Sequence, residues 1–278
     1  MNSFAHFFDS AWQIYQVSDQ GDETLAIENS LIRYLPQFHL DHPDQTPQRI
    51  MHWYPIPEPT ILLGAKDTRL PQIQDGVHYL QSQGYKVVVR PHGGMAIVCD
   101  PGVINFSLVQ DMARYPLSIN DAYEEFISWL RHAFDVYGLP VDAYEMVHSY
   151  CPGKFDVIIN GKKIGGTAQR RFKTGVTTAA YLSISGDQSK RAQLLKDFYA
   201  ISGADHTYPS IDVDCMTTLS DQYHHPISVE NFYHTLTEQL QVKSQATYME
   251  LLPKELEDTY HAMLTQIQDR THRLTQSQ

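Results

Sequence analysis

A chain of 278 residues with 42% hydrophobic and 11% aromatic content carries enough apolar material for a full core and falls outside the composition of disordered chains. Its formal charge of -11, from 32 acidic and 21 basic side chains, speaks against a nucleic-acid binder, whose affinity for phosphates comes from Lys and Arg. Cys99, Cys151 and Cys215 are too scattered for a disulfide framework or a zinc ribbon. Residues 1–10 lack the basic flank and apolar run of a secretory signal, and no uninterrupted apolar stretch reaches bilayer length.

These features imply a soluble, cytoplasmic chain with reduced thiols and with no membrane partner. Asp22 to Leu35 predicts a helix, with acids in its first turn, an apolar stripe of Ile27, Leu31, Tyr34 and Leu35, and Pro36 as its stop. Residues 38–49 then read as a loop. His39 and His42 lie there, a weak metal pair without a third ligand at a usable spacing, so no metal site is expected.

Ile50 to Tyr54 and Thr60 to Leu63 read as strands, and Ile73, Val77 and Leu80 as a helix face before Gly84. A β-branched strand, Lys86 to Val89, leads into Arg90-Pro91-His92-Gly93-Gly94. Further strands follow at 95–98 and 103–109. Ser118 to Tyr137 shows i, i+3, i+4, i+7 periodicity and ends at Gly138. Val176 to Ile184 reads as a strand and Leu194, Leu195 and Phe198 as part of a helix. From Ser228 two helical patterns run to Ile267. The fold class is α+β (mixed α/β), one domain, with mostly antiparallel pairing around residues 86–109 and 155–184.

Between these elements lies the stretch with chemistry. Cys151 precedes Pro152-Gly153, a short apolar strand ends at Ile159, and Asn160-Gly161 marks a hairpin that returns Lys162 and Lys163 alongside it. A thiol becomes a useful nucleophile as a thiolate, and a nearby ammonium favours that form. Alternation sends the two lysines to opposite faces, without saying which faces the cysteine. A lone cysteine is more often a small buried apolar residue, and lysines beside a turn are commonly solvated edge residues. Residues 154–173 hold six basic side chains against one acid, Asp156, a basic island that suits an acidic partner. Gly165, Gly166, Thr167 and Ala168 are small enough for an extended ligand to approach.

Arg90 to Val98 followed by Asn105-Phe106-Ser107 resembles the Arg-x-x-Gly-Gly-x-Ala-Val and Asn-x-Ser motif of the lipoate ligase and octanoyltransferase superfamily. Asn160 to Gln169 resembles that family's lysine motif. With Ser149-Tyr150-Cys151-Pro152-Gly153 ahead of it, the pattern is similar to the Gram-positive branch that moves octanoyl groups from glycine cleavage H protein. The resemblance covers about residues 20–240.

It implies a biotin/lipoate ligase-like catalytic domain related to class II synthetases, over residues 20–245, and a C-terminal helical extension over 246–278. It further implies Cys151 as the acyl-thioester nucleophile and Lys163 as the group that depresses the thiol pKa and contacts the acyl carbonyl, with Lys162 at the surface. Arg90, His92, Gly93, Gly94, Asn105, Gly165, Gly166 and Thr167 would bind the acyl group, and Arg170, Arg171 and Lys173 would dock the carrier. The implied donor is glycine cleavage H protein and the acceptors are lipoyl domains of 2-oxoacid dehydrogenase E2 subunits. No cofactor and no ATP are expected, because an amide is exchanged for an amide. The competing readings are an octanoyltransferase fed by acyl carrier protein, an ATP-dependent lipoate ligase, and a non-catalytic acyl-carrier-binding protein.

Overall fold

The structure is a computed structural model that describes residue 7, residues 10–17 and residues 20–275. Among these, the chain begins with β1 (Ala11–Gln16), α1 (Gly21–Asp41), β2 (Gln48–Trp53), β3 (Thr60–Leu63) and α2 (Ile73–Ser82). It continues through β4 (Lys86–Val89), β5 (Ile97–Cys99), β6 (Val103–Asp111), α3 (Ile119–Phe134) and β7 (Asp142–Ala143). The hairpin strands are β8 (Val157–Ile159), β9 (Lys162–Phe172) and β10 (Gly175–Ser183). The last part holds α4 (Gln188–Ile201), α5 (Leu219–Tyr223), α6 (Val229–Lys243), β11 (Gln245–Met249) and α7 (Glu257–Thr275).

Eight strands form one sheet in the order β11-β1-β2-β6-β10-β9-β8-β7, and β4-β3-β5 form a second. β1 is parallel to β11 and β2, and every other pair in the large sheet is antiparallel. The pairing around 155–184 is antiparallel as expected, but β4 runs parallel to β3. A parallel partner needs a crossover, and α2 supplies it between these two strands. β1 and β11 escape a pattern reading because neither alternates cleanly between apolar and polar residues.

α1 also departs from expectation. It runs five residues past Pro36 to Asp41. Proline removes the helical partner of the carbonyl four residues earlier, which here is Ile32. That oxygen faces Gly175, where a Cβ would stand 2.1 Å away. Tertiary packing therefore holds a helix that the local sequence would end. His39, expected in a loop, is a buried helical residue: its Nδ1 meets Asp111 at 3.0 Å and its Nε2 accepts the Gln48 amide. It ties α1 to β2 and β6.

The large sheet separates two cores. On one face Trp53, Phe106 and Ala180, register partners across three strands, pack with Phe126 and Trp129 of α3 and Phe232 and Leu236 of α6. On the other face lie α1, the small sheet, α2, α4 and α7. The segment after residue 245 is packed into the same body. β11 pairs with β1, and Met263, Ile267 and Leu274 of α7 belong to the core that holds β3 and β4.

Candidate active site

Two loops and one hairpin meet on the α1 side of the sheet. The hairpin follows the turn chemistry of its sequence, with Asn160 at φ 49° and Gly161 at φ 76°, the two positive angles a type I′ turn requires. It leaves Lys162 exposed and brings Lys163 fully inside. Lys163 Nζ donates to Ser149 Oγ at 3.0 Å, to the Tyr150 carbonyl at 3.0 Å and to the Cys151 carbonyl at 2.8 Å. Its counter-ion is Asp156, 3.0 Å away and equally buried. The other Asp156 oxygen accepts the amides of Met146 and Gly153. Burial raises the Asp156 pKa against the opposing pull of the Lys163 ammonium.

This ion pair is a clamp on residues 146–153. The lysine gathers the carbonyls of the cysteine turn and the aspartate gathers amides on both sides of it. Cys151 itself sits at φ 47°, a left-handed conformation that costs a non-glycine residue roughly 1–3 kcal/mol. The clamp holds it there. Lys163, expected to depress the thiol pKa and contact the acyl carbonyl, has as its polar partners the Ser149 hydroxyl, the Tyr150 and Cys151 carbonyls and Asp156. A buried ammonium settles where it finds the most acceptors, and the turn offers three.

The cation at the sulfur is Arg90. Its Nη2 donates to Cys151 Sγ at 3.4 Å and to the Met95 carbonyl at 2.7 Å, and the Met95 amide donates to the same sulfur at 3.3 Å. Burial opposes the Arg90 charge, yet Cys151 and Asp67 raise its pKa. Gly94, at φ 92°, lies so close that a Cβ there would stand 2.8 Å from Arg90 Nη2 and 3.1 Å from Sγ. The 90–95 loop is fixed to α1 by His92, whose Nε2 lies 2.7 Å from Glu28 Oε1. Burial acts to raise the Glu28 pKa, but the charge and hydrogen bond of His92, with His52 behind it, bring it below the usual carboxylate value.

Asp67 fixes the neighbouring loop. It accepts the Gly64 amide at 2.7 Å and the Tyr199 hydroxyl at 3.0 Å, while Tyr199 accepts the Ala96 amide. Burial raises its pKa from 3.8 to about 6, more than these hydrogen bonds lower it. The folded carboxyl thus keeps a proton that the unfolded chain releases near 3.8, and its stabilising share falls as pH rises from about 4 to 6. Wild type should lose up to about 3 kcal/mol relative to Asp67→Asn across that window, read from denaturant melts at pH 4 and pH 7.

Above the thiol a narrow slot opens, lined by Leu25, Tyr54, Arg90, His92, Asn105 and Cys151 and floored by Gly166, Thr167, Ala168, Ala179 and Tyr181. Its free volume is about 20 Å³, room for about one water. Of the expected acyl-binding residues, Arg90, His92, Asn105, Gly166 and Thr167 line the slot and Gly94 abuts the sulfur. Gly93 is exposed, with nothing near its missing Cβ. Gly165 faces the backbone of β10, where a Cβ would stand 2.2 Å from the Tyr181 carbonyl.

The expected carrier-docking trio is split by strand alternation. Half-buried Arg170 lies on the α1 side, its pKa lowered by burial and by Arg33 and Arg270. Arg171 lies on the other side and donates to the Leu117 carbonyl and to Gln169. Lys173 is exposed at the hairpin tip beside the Phe172 ring. Sequence reasoning missed Tyr54, Glu28 and Asp156. Only Asp156 had a signal, as the one acid in a basic stretch.

A cysteine held at the mouth of an apolar slot between a guanidinium and a backbone amide suits acyl capture, and known proteins carry the same frame. Lipoate-protein ligase A bound with ATP superposes with a TM-score of 0.69 at 14% identity, over 92% of this chain and 94% of that one. A bipartite lipoate protein ligase from Thermoplasma acidophilum gives 0.66 at 15% identity, over 93% and 92%. In sequence, a lipoyl-[GcvH]:protein N-lipoyltransferase of Listeria monocytogenes is 40% identical over 187 residues, 66% of this chain and 66% of that protein. An octanoyl-[GcvH]:protein N-octanoyltransferase of Lysinibacillus sphaericus is 37% identical over 212 residues, 75% of this chain and 73% of its own length. Residues 22–241 match the family described as the lipoyl protein ligase A/B catalytic domain. The eight-stranded sheet, the Arg90 loop and the lysine hairpin thus have one common explanation: this chain belongs to that family and has the lipoate ligase fold.

Proposed function

We propose that this protein is an amidotransferase that moves an octanoyl or lipoyl group from the lysine of glycine cleavage H protein to the lysine of E2 lipoyl domains through a thioester on Cys151. The observation that carries this reading is the sulfur's setting, at the slot mouth with Arg90 Nη2 and the Met95 amide both facing it. With Arg90 Nη2 and the Met95 amide on its sulfur, Cys151 attacks as the thiolate on the carbonyl of the acyl-lysine amide. The C–N bond breaks, the carrier lysine leaves as an amine after gaining a proton, and the acyl group stays on sulfur.

The acceptor lysine amine then attacks the thioester carbonyl. A new C–N bond forms, the amine loses a proton and the thiolate returns. One amide replaces another, so no nucleotide is consumed. Each buried methylene contributes about 0.8 kcal/mol, which suits an apolar slot for an eight-carbon chain.

The test is incubation without ATP of the protein, acylated H protein and an apo lipoyl domain, followed by intact-mass measurement. An acyl adduct on wild type, absent from Cys151→Ser, with mass arriving on the acceptor, is the expected result. Acylation only from acyl carrier protein, or only with ATP, would replace this reading with one of its rivals.

A further inference from the structure

Transfer between two lysine amides moves a proton twice. The departing carrier nitrogen must gain one, because an amine anion does not leave, and the arriving amine must lose one. A side chain at the slot has to hold that proton in between. Besides Cys151, the slot lining offers few polar groups. Asn105 and Thr167 do not titrate, and the Arg90 guanidinium stays charged. Burial, joined by Glu28 beside Tyr54 and by Tyr150 beside Tyr181, raises both phenols well above their usual range, so neither passes a proton near neutrality. Lys163 lies outside the lining, with its ammonium shared among four acceptors.

The polar lining residue left is His92, and imidazole is the side chain that exchanges a proton near neutral pH. Its Nε2 lies 2.7 Å from Glu28 Oε1, with the two side chains 4% and 1% exposed. A carboxylate on one ring nitrogen keeps that nitrogen protonated and orients the ring, so the other nitrogen, Nδ1, takes and gives the proton. Glu28 is the one hydrogen-bond partner of the ring among the described residues. His92 comes two residues before Gly94, whose missing Cβ would stand 3.1 Å from the sulfur. Gly93 between them is exposed and meets nothing where its Cβ would be, which leaves the rim beside His92 open to an incoming lysine.

We propose that His92 is the general acid and base of the transfer, a catalytic residue, and that Glu28 positions it. The inference rests on the amidotransferase reading. In the first half, the Cys151 thiolate adds to the amide carbonyl and the C–N bond breaks. The Nδ1 proton of the imidazolium passes to the departing nitrogen, the acyl group stays on sulfur, and the ring is left neutral. In the second half, the acceptor amine adds to the thioester carbonyl and Nδ1 takes its proton. The C–S bond then breaks and the thiolate returns. The ring ends as it began, so one proton serves both amides.

Two acyl donors separate this role from a packing role. The nitrogen leaving octanoylated H protein needs the proton, whereas the phenolate leaving p-nitrophenyl octanoate does not. His92→Gln keeps an N–H for Glu28 and has no proton to exchange. It should acylate Cys151 about 10³-fold more slowly from octanoylated H protein, and lose less than about tenfold with the ester, read by intact mass and by p-nitrophenolate release. Equal losses with both donors, or a loss with neither, overturn the inference while wild-type transfer keeps the amidotransferase reading standing. Glu28→Gln supplies a second variant. The titratable groups around the ring are Glu28 of α1, His52 of β2, Tyr54, Arg90 and Cys151. Loss of the Glu28 charge destabilises the imidazolium, so the alkaline limb of the pH–rate profile with H protein should move to lower pH, and the ester profile should lack that limb. An unmoved limb overturns the pairing and the proposal with it. Wild type that accepts the acyl group from the ester but never from H protein overturns the amidotransferase reading, and His92 then has no amide nitrogen to serve.

Discussion

Lys163→Met should lower the free energy of unfolding by about 3–5 kcal/mol, because it leaves the Asp156 carboxylate buried without its partner. It should also abolish acyl-enzyme formation. The two losses have different origins, and a second variant separates them. Lys163→Met combined with Asp156→Leu removes both charges, and replacing a buried pair by apolar groups is commonly close to neutral for stability. The double variant should therefore regain most of the melting midpoint while Cys151 remains unacylated, since nothing then gathers the Tyr150 and Cys151 carbonyls. Recovery of acylation together with stability would show that the clamp is not what presents the sulfur. Denaturant melts and intact-mass acylation assays on the three proteins decide the matter.

Gly64→Ala is the second large effect. A Cβ at residue 64 would stand 2.0 Å from the Gly94 carbonyl oxygen and 2.8 Å from its carbon, both backbone atoms that no rotamer change can move. The 90–95 loop must shift, and it carries Arg90 and the Met95 amide that face the sulfur. Overpacking of this kind costs about 1–3 kcal/mol. Displacing reacting groups by about 1 Å costs about 10²-fold in rate. The variant should thus remain folded by circular dichroism but acylate Cys151 about 10²-fold more slowly. Ordinary rates would mean that the loop tolerates movement and that its fit against Gly64 is incidental.

Much of this site was legible in advance because its turns obey local rules. Asn160-Gly161 fixed the hairpin, the hairpin fixed which strand carries Lys163, and Ser118 with Asp121 set the start of α3 by reciprocal side-chain and amide hydrogen bonds. The role of Lys163 was not legible. Strand alternation says that a lysine points inward, but only the three-dimensional course of residues 146–153 shows that carbonyls, and not the thiol, await it. Arg90 came from a motif that marks the slot wall, without the information that its guanidinium reaches the sulfur.

Long-range compensation explains the remaining differences. Pro36 is a local stop signal that loses to packing against Gly175, and β11 forms beside β1 because a strand whose paired residues lie 234 positions earlier offers it an edge. His52 reads as one polar residue in an apolar strand. Its place in line with Ser107 and Ala179 is set by pairings with β6 and β10 far along the chain. Residues that act through partners distant in sequence leave little trace in periodicity or spacing.

The far end of the chain also bears on when the site comes into being. The Val89 amide, one residue before Arg90, donates to Thr271 Oγ1 at 3.0 Å, and the Gln74 amide group donates to the Leu274 carbonyl at 2.7 Å. The arginine loop is therefore finished by residues that leave the ribosome about 180 positions after it. A nascent chain holding Cys151 but not yet Thr271 lacks the support beneath Arg90. The strand that leads into Arg90 thus receives this side-chain bond only once the carboxy-terminal helix has been made.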